Sequence, residues 1–301
     1  MSTGEEAAPG PGSASWHEDH VTTDVALGFA QYAHATGDDY FLRDQAWPVL
    51  HGAAEWISSR VERSERGYEL RRSMGIAKKS HIGELLAMDR VSEAWRKQHG
   101  HIPGEDDVNR LYADFVPKQL GCLAEFSAVI SGVPAALEGL RGAGVKIGST
   151  TGYTRPMLDF LLSRAREQGC APDTALCPED VPGGGRPLPY MCYRSAIDLQ
   201  AFPLWQIVKV GDTPNDIAEG LNAGMWTIGI TRTGNEAGLT EREWSELPVS
   251  DRASVLRSAS QRFWDAGAHY VAESVADCIP VLEEISGRIA ANHMPHERAG
   301  K

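Results

Sequence analysis

Two polar clusters in this 301-residue chain have the residue types and spacing of phosphate chemistry. The first is Ser149-Thr150-Thr151-Gly152-Tyr153-Thr154-Arg155, at the end of the apolar run that starts at Val145. Hydroxyls and a glycine where a helix begins can cradle a phosphate with backbone N–H groups. The same residues also suit a plain capped helix start. The second is Lys209-Val210-Gly211-Asp212-Thr213-Pro214-Asn215-Asp216. Here an apolar strand delivers two carboxylates, and acceptor-only oxygens suit a hard cation such as Mg²⁺ that bridges to phosphate. Helix capping alone would explain Asp216 but not the pair. Between the clusters, the glycine-rich Val181 to Pro187 presents Arg186, which could grip a phosphate bidentately or stand in solvent. Lys78-Lys79, taken alone, reads as two solvated charges. His17-Glu18-Asp19-His20 reads as the solvated start of a helix, because consecutive helical residues point in different directions.

The elements that must position these residues follow from periodicity. From Trp16 to about Arg63 the spacing is helical: Val25, Phe29, Tyr32 and Ala33 share one face, and Val49, Ala53, Trp56 and Ile57 another. Residues from His81 to Gly132 are again mostly helical, broken at His101-Ile102-Pro103-Gly104. Then the grammar changes. Short apolar strands are expected at Val145–Ser149, Ile207–Val210, Trp226–Ile230 and His269–Val271, with helices at Pro134–Arg141, about Arg155–Gln168, from Asp212 to Ala223 and near Val275–Ile289. Strands alternating with helices imply a parallel sheet covered on both faces, an α/β domain whose ligands bind beyond the carboxyl ends of the strands.

Composition narrows the function. Apolar residues are 42% and charged residues 23%, as in a folded globular chain. The net charge of −12 argues against a nucleic-acid partner or an anionic membrane surface. No apolar run is long enough to span a bilayer. Residues 1–15 read as a disordered leader without the basic and apolar regions of a secretory signal. Five cysteines, never spaced C-x-x-C, argue against a disulfide framework or a zinc site and place the chain in the cytoplasm.

The clusters resemble motifs of the haloacid dehalogenase (HAD) superfamily of phosphoryl-transfer enzymes. The order of further stretches is similar to one of its families, the phosphonatases or phosphonoacetaldehyde hydrolases. Those stretches are Met74-Gly75-Ile76-Ala77-Lys78 with His81, Lys146 to Arg155, Glu179 to Pro187, Met191-Cys192-Tyr193, Lys209 to Asp212 and Glu219 to Thr227. They run in order within Met74 to Ile289. The resemblance implies a HAD-like Rossmannoid parallel sheet at 133–290, a helical cap at 74–132 and a flexible tail at 291–301. It further implies hydrolysis of the C–P bond of phosphonoacetaldehyde to acetaldehyde and phosphate, in phosphonate degradation, by a Mg²⁺-dependent homodimer. By the same resemblance Lys78 is the Schiff-base lysine, His81 and Met74 support it from the cap, and Tyr153 lies by the phosphoryl site. Thr151 and Gly152 bind the phosphoryl oxygens, Arg186 offsets their charge, Asp212 ligates Mg²⁺ and Asp216 supports that shell. A protonated imine suits this reaction because it accepts the electrons of a C–P bond whose direct rupture would leave a carbanion.

The family also needs an aspartate nucleophile at the end of a central strand, ahead of Met74, and no such strand is legible there. The nearest imitation, Asp24-Val25-Ala26-Leu27-Gly28, follows polar residues and lies in a helical period. That segment resembles glycoside hydrolase family 65 instead, through Trp16 to Ala26, Ala35-Thr36-Gly37-Asp38-Asp39, Phe41-Leu42-Arg43 and Ala54-Glu55-Trp56. The expected organisation is therefore an all-helical segment at 16–73 fused to a HAD-like α/β core that lacks its central strand. Such a core leaves two ladders open. Three functions follow: a phosphonatase-type hydrolase, a binding protein or pseudoenzyme without turnover, and a family 65 carbohydrate-active enzyme.

Overall fold

The computed structural model describes residues 73–295. The leader, the segment resembling glycoside hydrolase family 65 up to residue 72, Asp24, and the tail beyond residue 295 lie outside the described residues. Those up to 237 and from 243 onward belong to one compact unit.

The unit opens with three helices, α1 (Lys78–Ala87), α2 (Asp89–His99) and α3 (Glu105–Cys122). The break before α3 falls at the expected Pro-Gly turn, where Asp107 accepts the Gly104 N–H at 3.0 Å and satisfies one of the orphan donors of a helix start. Strands and helices then alternate: α4 (Val133–Gly142), β1 (Gly148–Thr150), α5 (Arg155–Glu167), β2 (Thr174–Leu176), α6 (Tyr190–Asp198), β3 (Val208–Gly211), α7 (Pro214–Asn222), β4 (Trp226–Ile230), α8 (Val249–Asp265), β5 (Tyr270–Ala272) and α9 (Ile279–Ala290).

All pairings among these strands are parallel, in the orders β1-β2 and β3-β4-β5. β4, flanked on both sides, is buried at every residue, which accounts for its unbroken apolar run. Trp226, Ile228 and Ile230 pack with Cys278 and Ile285 into the main core, walled by Val208, Val210, Val281 and Leu282. Burying each such side chain contributes about 1.5–3 kcal/mol.

β1 and β3 do not pair with each other, and among the described residues no strand lies between them. The stretch ahead of Met74, from which the family's central strand is expected, lies outside the described residues.

The elements correct the sequence expectations in detail. β1 begins at Gly148, not Val145, which is exposed; ahead of it the Ile147 N–H is taken by the Asp173 carboxylate at 2.8 Å. A strand laddered on one edge alone holds only where β2 reaches. β2, α6 and α8 were not anticipated. The five cysteines are all unpaired, as expected, and among the described residues no helix is long and apolar enough to cross a membrane.

Candidate active site

The carboxyl ends of β1 and β3 converge through side chains, not through a ladder. On β1 the Thr150 hydroxyl accepts from Lys209 Nζ of β3 at 2.6 Å and from Arg186 Nη2 at 2.9 Å. Glu219 on α7 is fully buried, and its Oε2 receives Lys209 Nζ at 2.6 Å, Arg186 Nε at 3.0 Å and the Thr150 hydroxyl at 3.2 Å. Asp216 Oδ1 lies 3.1 Å from Arg186 Nη2 and 3.2 Å from Lys209 Nζ. Two cations and two carboxylates therefore neutralise one another in the space between the half-sheets. Burial makes such pairs expensive to break, because each survivor would be left as an uncompensated charge.

α7 can supply both carboxylates because Asp216 and Glu219 stand three residues apart on one helix face. Its start is fixed by a capping box. Thr213 Oγ1 accepts the Asp216 N–H at 3.2 Å, while Asp216 Oδ2 accepts the Thr213 N–H at 3.2 Å and hydroxyl at 2.7 Å.

Above this network sits the turn that carries Lys78. Gly75 has φ +89° and its α-carbon packs so closely on Thr213 that a Cβ would collide with that hydroxyl. A Cβ on Gly152 would likewise run into the Ile76 carbonyl. Arg186 Nη1 donates to the Gly75 carbonyl at 3.2 Å, and Asn215 Nδ2 to that of Met74 at 2.6 Å. The turn is thus pinned to the ends of both β1 and β3, and α1 starts from it with Lys78 as its first residue.

Lys78 Nζ lies 5.0 Å from the centroid of the Tyr153 ring. Burial and the nearby Arg186 charge lower the Lys78 pKa, against a smaller opposing pull from Asp212. Burial, then Asp212 and Cys122, raise that of Tyr153. Desolvation and the Asp216 charge push Asp212 up, whereas Asp216 overcomes its own burial through Arg186 and Lys209 and is held low. Asp212 Oδ2 accepts the Asn235 N–H at 2.9 Å.

The structure therefore brings Lys78, Tyr153, Gly152, Arg186, Asp212 and Asp216 together. Thr151 follows β1, its hydroxyl accepting the Tyr153 N–H at 3.2 Å. His81 is buried one turn after Lys78 on α1. Met74 contributes its carbonyl to the pinned turn. Arg186 is not in solvent: its side chain is buried, and its donors are spent on Thr150, Gly75, Asp216 and Glu219. Three residues that sequence reasoning did not assign, Thr150, Lys209 and Glu219, form the heart of the network. The signal for Glu219 was its place on the sheet-facing side of α7, three residues after Asp216.

Among the described residues no three His, Cys, Asp or Glu side chains converge as a metal-holding group. The donor chemistry nonetheless fits a divalent ion at Asp212, a carboxylate at a strand end whose negative charge is opposed by a second carboxylate and would be favoured by an added cation.

A parallel α/β scaffold with hydroxyls after one strand, two aspartates after another and a basic residue between them is that of a HAD-type phosphoryl-transfer enzyme. The chain belongs to the haloacid dehalogenase-like hydrolases, whose family model matches residues 21–224. Proteins named phosphonoacetaldehyde hydrolase are among its relatives. The one from Syntrophobacter fumaroxidans is 46% identical over 227 residues, covering 75% of this chain and 82% of the relative. That of Nitratidesulfovibrio vulgaris is 41% identical over 248 residues, covering 82% and 85%. The crystal structure of a phosphonoacetaldehyde hydrolase-like protein from Oleispira antarctica superimposes with a TM-score of 0.74 at 38% identity, over 76% of this chain and 82% of that one. The family match begins at residue 21, inside the segment read from sequence as resembling glycoside hydrolase family 65.

Proposed function

We propose that the chain acts on phosphonoacetaldehyde by forming a Schiff base at Lys78, the first half of phosphonatase chemistry. The observation that carries this reading is the setting of the Lys78 amine, a half-buried lysine with a lowered pKa over the Tyr153 ring and within the fields of Arg186 and Asp212. An amine must be unprotonated to attack an aldehyde, and desolvation beside another cation is how a protein frees one near neutral pH. The amine adds to the carbonyl carbon, water departs, and the imine takes up a proton. When phosphorus passes to a nucleophile, the C–P electron pair moves to the imine and leaves an enamine, whose protonation and hydrolysis release acetaldehyde and restore Lys78.

Thr151 and the Gly152 N–H, between β1 and α5, bind the phosphonate oxygens in this reading. Tyr153 lines the imine, and His81 and Met74 support Lys78 from the cap. Mg²⁺ would be held at Asp212, with Asp216 steadying the shell from its ion pairs; when bound it supplies positive charge to the phosphonate.

The carboxylates that the described residues bring to this network are Asp212, Asp216 and Glu219, and the latter two are committed to Arg186 and Lys209. That observation favours a second reading, capture of the aldehyde without turnover. One experiment separates them. Purified protein is given phosphonoacetaldehyde and Mg²⁺, phosphate release is followed, and a parallel sample is reduced with borohydride and mapped by mass spectrometry. Release that both Lys78→Ala and Asp212→Ala abolish means hydrolysis. A reduced adduct at Lys78 with no phosphate means capture alone. Neither adduct nor phosphate from folded protein removes the Schiff-base reading.

A further inference from the structure

We propose that Arg262, on α8, is a positioning residue for the cation assigned to Asp212: through Glu236 it fixes the loop after β4, whose backbone aims that carboxylate. The proposal rests on the assignment of Mg²⁺ to Asp212 made above. It adds residues that lie outside the network of Arg186, Lys209, Asp216 and Glu219.

The loop of residues 231–237 follows β4 and comes down on Asp212 at the end of β3. The Asn235 N–H donates to Asp212 Oδ2 at 2.9 Å. Gly234 lies so close that a Cβ there would meet the Asp212 Cβ at 2.6 Å and the Ile230 carbonyl oxygen at the same distance. One hydrogen bond and one backbone approach that only glycine permits therefore press the loop on this carboxylate.

A loop can hold a carboxylate only if it is itself held. Its first residues are tied to the end of β5. The Thr231 N–H donates to the Ala272 carbonyl at 2.9 Å, and those of Arg232 and Thr233 donate to the Glu273 carbonyl at 2.9 and 3.1 Å. Its far end is tied by Arg262. The Glu236 side chain is only 3% exposed; Arg262 Nε donates to its Oε2, and Nη2 donates to its backbone carbonyl at 2.7 Å. One planar guanidinium thus grips the side chain and the backbone of a single residue, which a fixed fork of donors allows. The guanidinium is oriented in turn, because Nη1 donates to Ser258 Oγ, one turn back on α8, at 2.6 Å.

Glu236 is the residue after Asn235, so the grip on one sets where the N–H of the other stands. Glu236 Oε1 also accepts from Asn235 Nδ2 at 3.2 Å, which closes the turn on itself. A hydrogen bond to one oxygen of a ligating carboxylate orients the whole group, and losing such an outer partner weakens metal binding about 10–100-fold. Docking of α8 does not call for the pair. That helix already anchors itself through Ala259 and Phe263, both fully buried, the latter packed on Gly229 of β4. A buried ion pair adds little net stability over apolar residues of the same shape, so its value at this joint is one of position.

The test uses Mn²⁺, which takes oxygen ligands in octahedral geometry as Mg²⁺ does. It is titrated into the metal-free full chain and followed by electron paramagnetic resonance. The parent should bind it, Asp212→Ala should not, and Arg262→Met should bind about 10–100-fold more weakly. The direction is diagnostic: removing a positive charge favours a cation by Coulomb attraction alone, so weaker binding reads geometry. Arg252→Met, on the same helix with its guanidinium on the Leu247 and Ser245 carbonyls, should bind as the parent does. A merely structural Arg262 would lower the melt of the metal-free chain and leave the affinity of the folded protein unchanged. Parental affinity in Arg262→Met therefore overturns the proposal, as does equal weakening in Arg252→Met. A parent that binds no Mn²⁺, or that binds it as well after Asp212→Ala, overturns both the proposal and the Asp212 assignment. The unmodified chain covers a variant that fails to fold. Amide exchange across residues 231–237 should slow when Mg²⁺ is added, and exchange there indifferent to Mg²⁺ overturns the proposal.

Discussion

Lys78 owes its chemistry to Tyr153, Arg186 and Asp212, neighbours that come from three other stretches of chain. Its pKa lies below the ordinary lysine range because burial and Arg186 outweigh Asp212. Borohydride trapping of phosphonoacetaldehyde should therefore rise with pH along a limb centred below that of a solvent-exposed lysine, should vanish in Lys78→Ala and should survive in Lys79→Ala. A limb at the ordinary lysine value would contradict the lowered amine. The same shift has a stability sign. The folded chain holds its proton at Lys78 less tightly than the unfolded chain, so this residue opposes folding below its folded pKa and ceases to do so as pH rises to the ordinary value. Lys78→Met should accordingly raise the thermal midpoint at neutral pH, read by a melt in parallel with the parent. In the sequence these two lysines were a pair of solvated charges until the flanking Met74-Gly75 and His81 gave them a context. That Lys78 points to the strand ends while Lys79 is exposed depends on the turn at Gly75.

At the scale of elements, α7 and the Met74–Ala77 turn do the positioning. Glu219, fully buried, receives two cations and a hydroxyl, so Glu219→Ala leaves Asp216 as the one carboxylate among the described residues that is ion-paired to both Arg186 and Lys209. A loss of about 3–5 kcal/mol in urea unfolding is expected. A loss under 1 kcal/mol would mean that the network relaxes freely. Gly152→Ala forces the turn away from β1 because the new methyl meets the Ile76 carbonyl. Displacement by about 1 Å can cost on the order of a hundredfold in a positioned reaction, so adduct formation at Lys78 should fall by about that factor while the melt shifts only a few degrees. Unchanged trapping would show that the pinned turn does not set the amine. β4 was legible at its observed bounds, and β3 within one residue, because their apolar runs are unbroken. β2 was not, since three residues carry no period, and α6 is short, with apolar residues on its exposed as well as its buried face.

At the scale of the whole molecule the described residues form a HAD-like α/β unit, with strands paired in the orders β1-β2 and β3-β4-β5. Strands held on one edge should open more readily than one held on both. Amide exchange is therefore expected to be slowest in β4, buried at every position between β3 and β5, and fastest among the strands in β1. Equal protection of β1 and β4 would mean that β1 is laddered on its second edge. The sequence by itself determined the class: alternating short strands and helices, two aspartates after a strand, hydroxyls after another, and the absence of a legible nucleophile strand before Met74. These are local patterns, set by period and by residue type, and they need no fold to be read. Only the tertiary structure decided that Arg186 is buried and bound to Glu219, that Lys209 on β3 reaches Thr150 on β1, and that Tyr190, Tyr193 and Ile197 of α6 stand exposed. Each joins residues distant in the chain through side-chain reach and burial, quantities that no local pattern encodes.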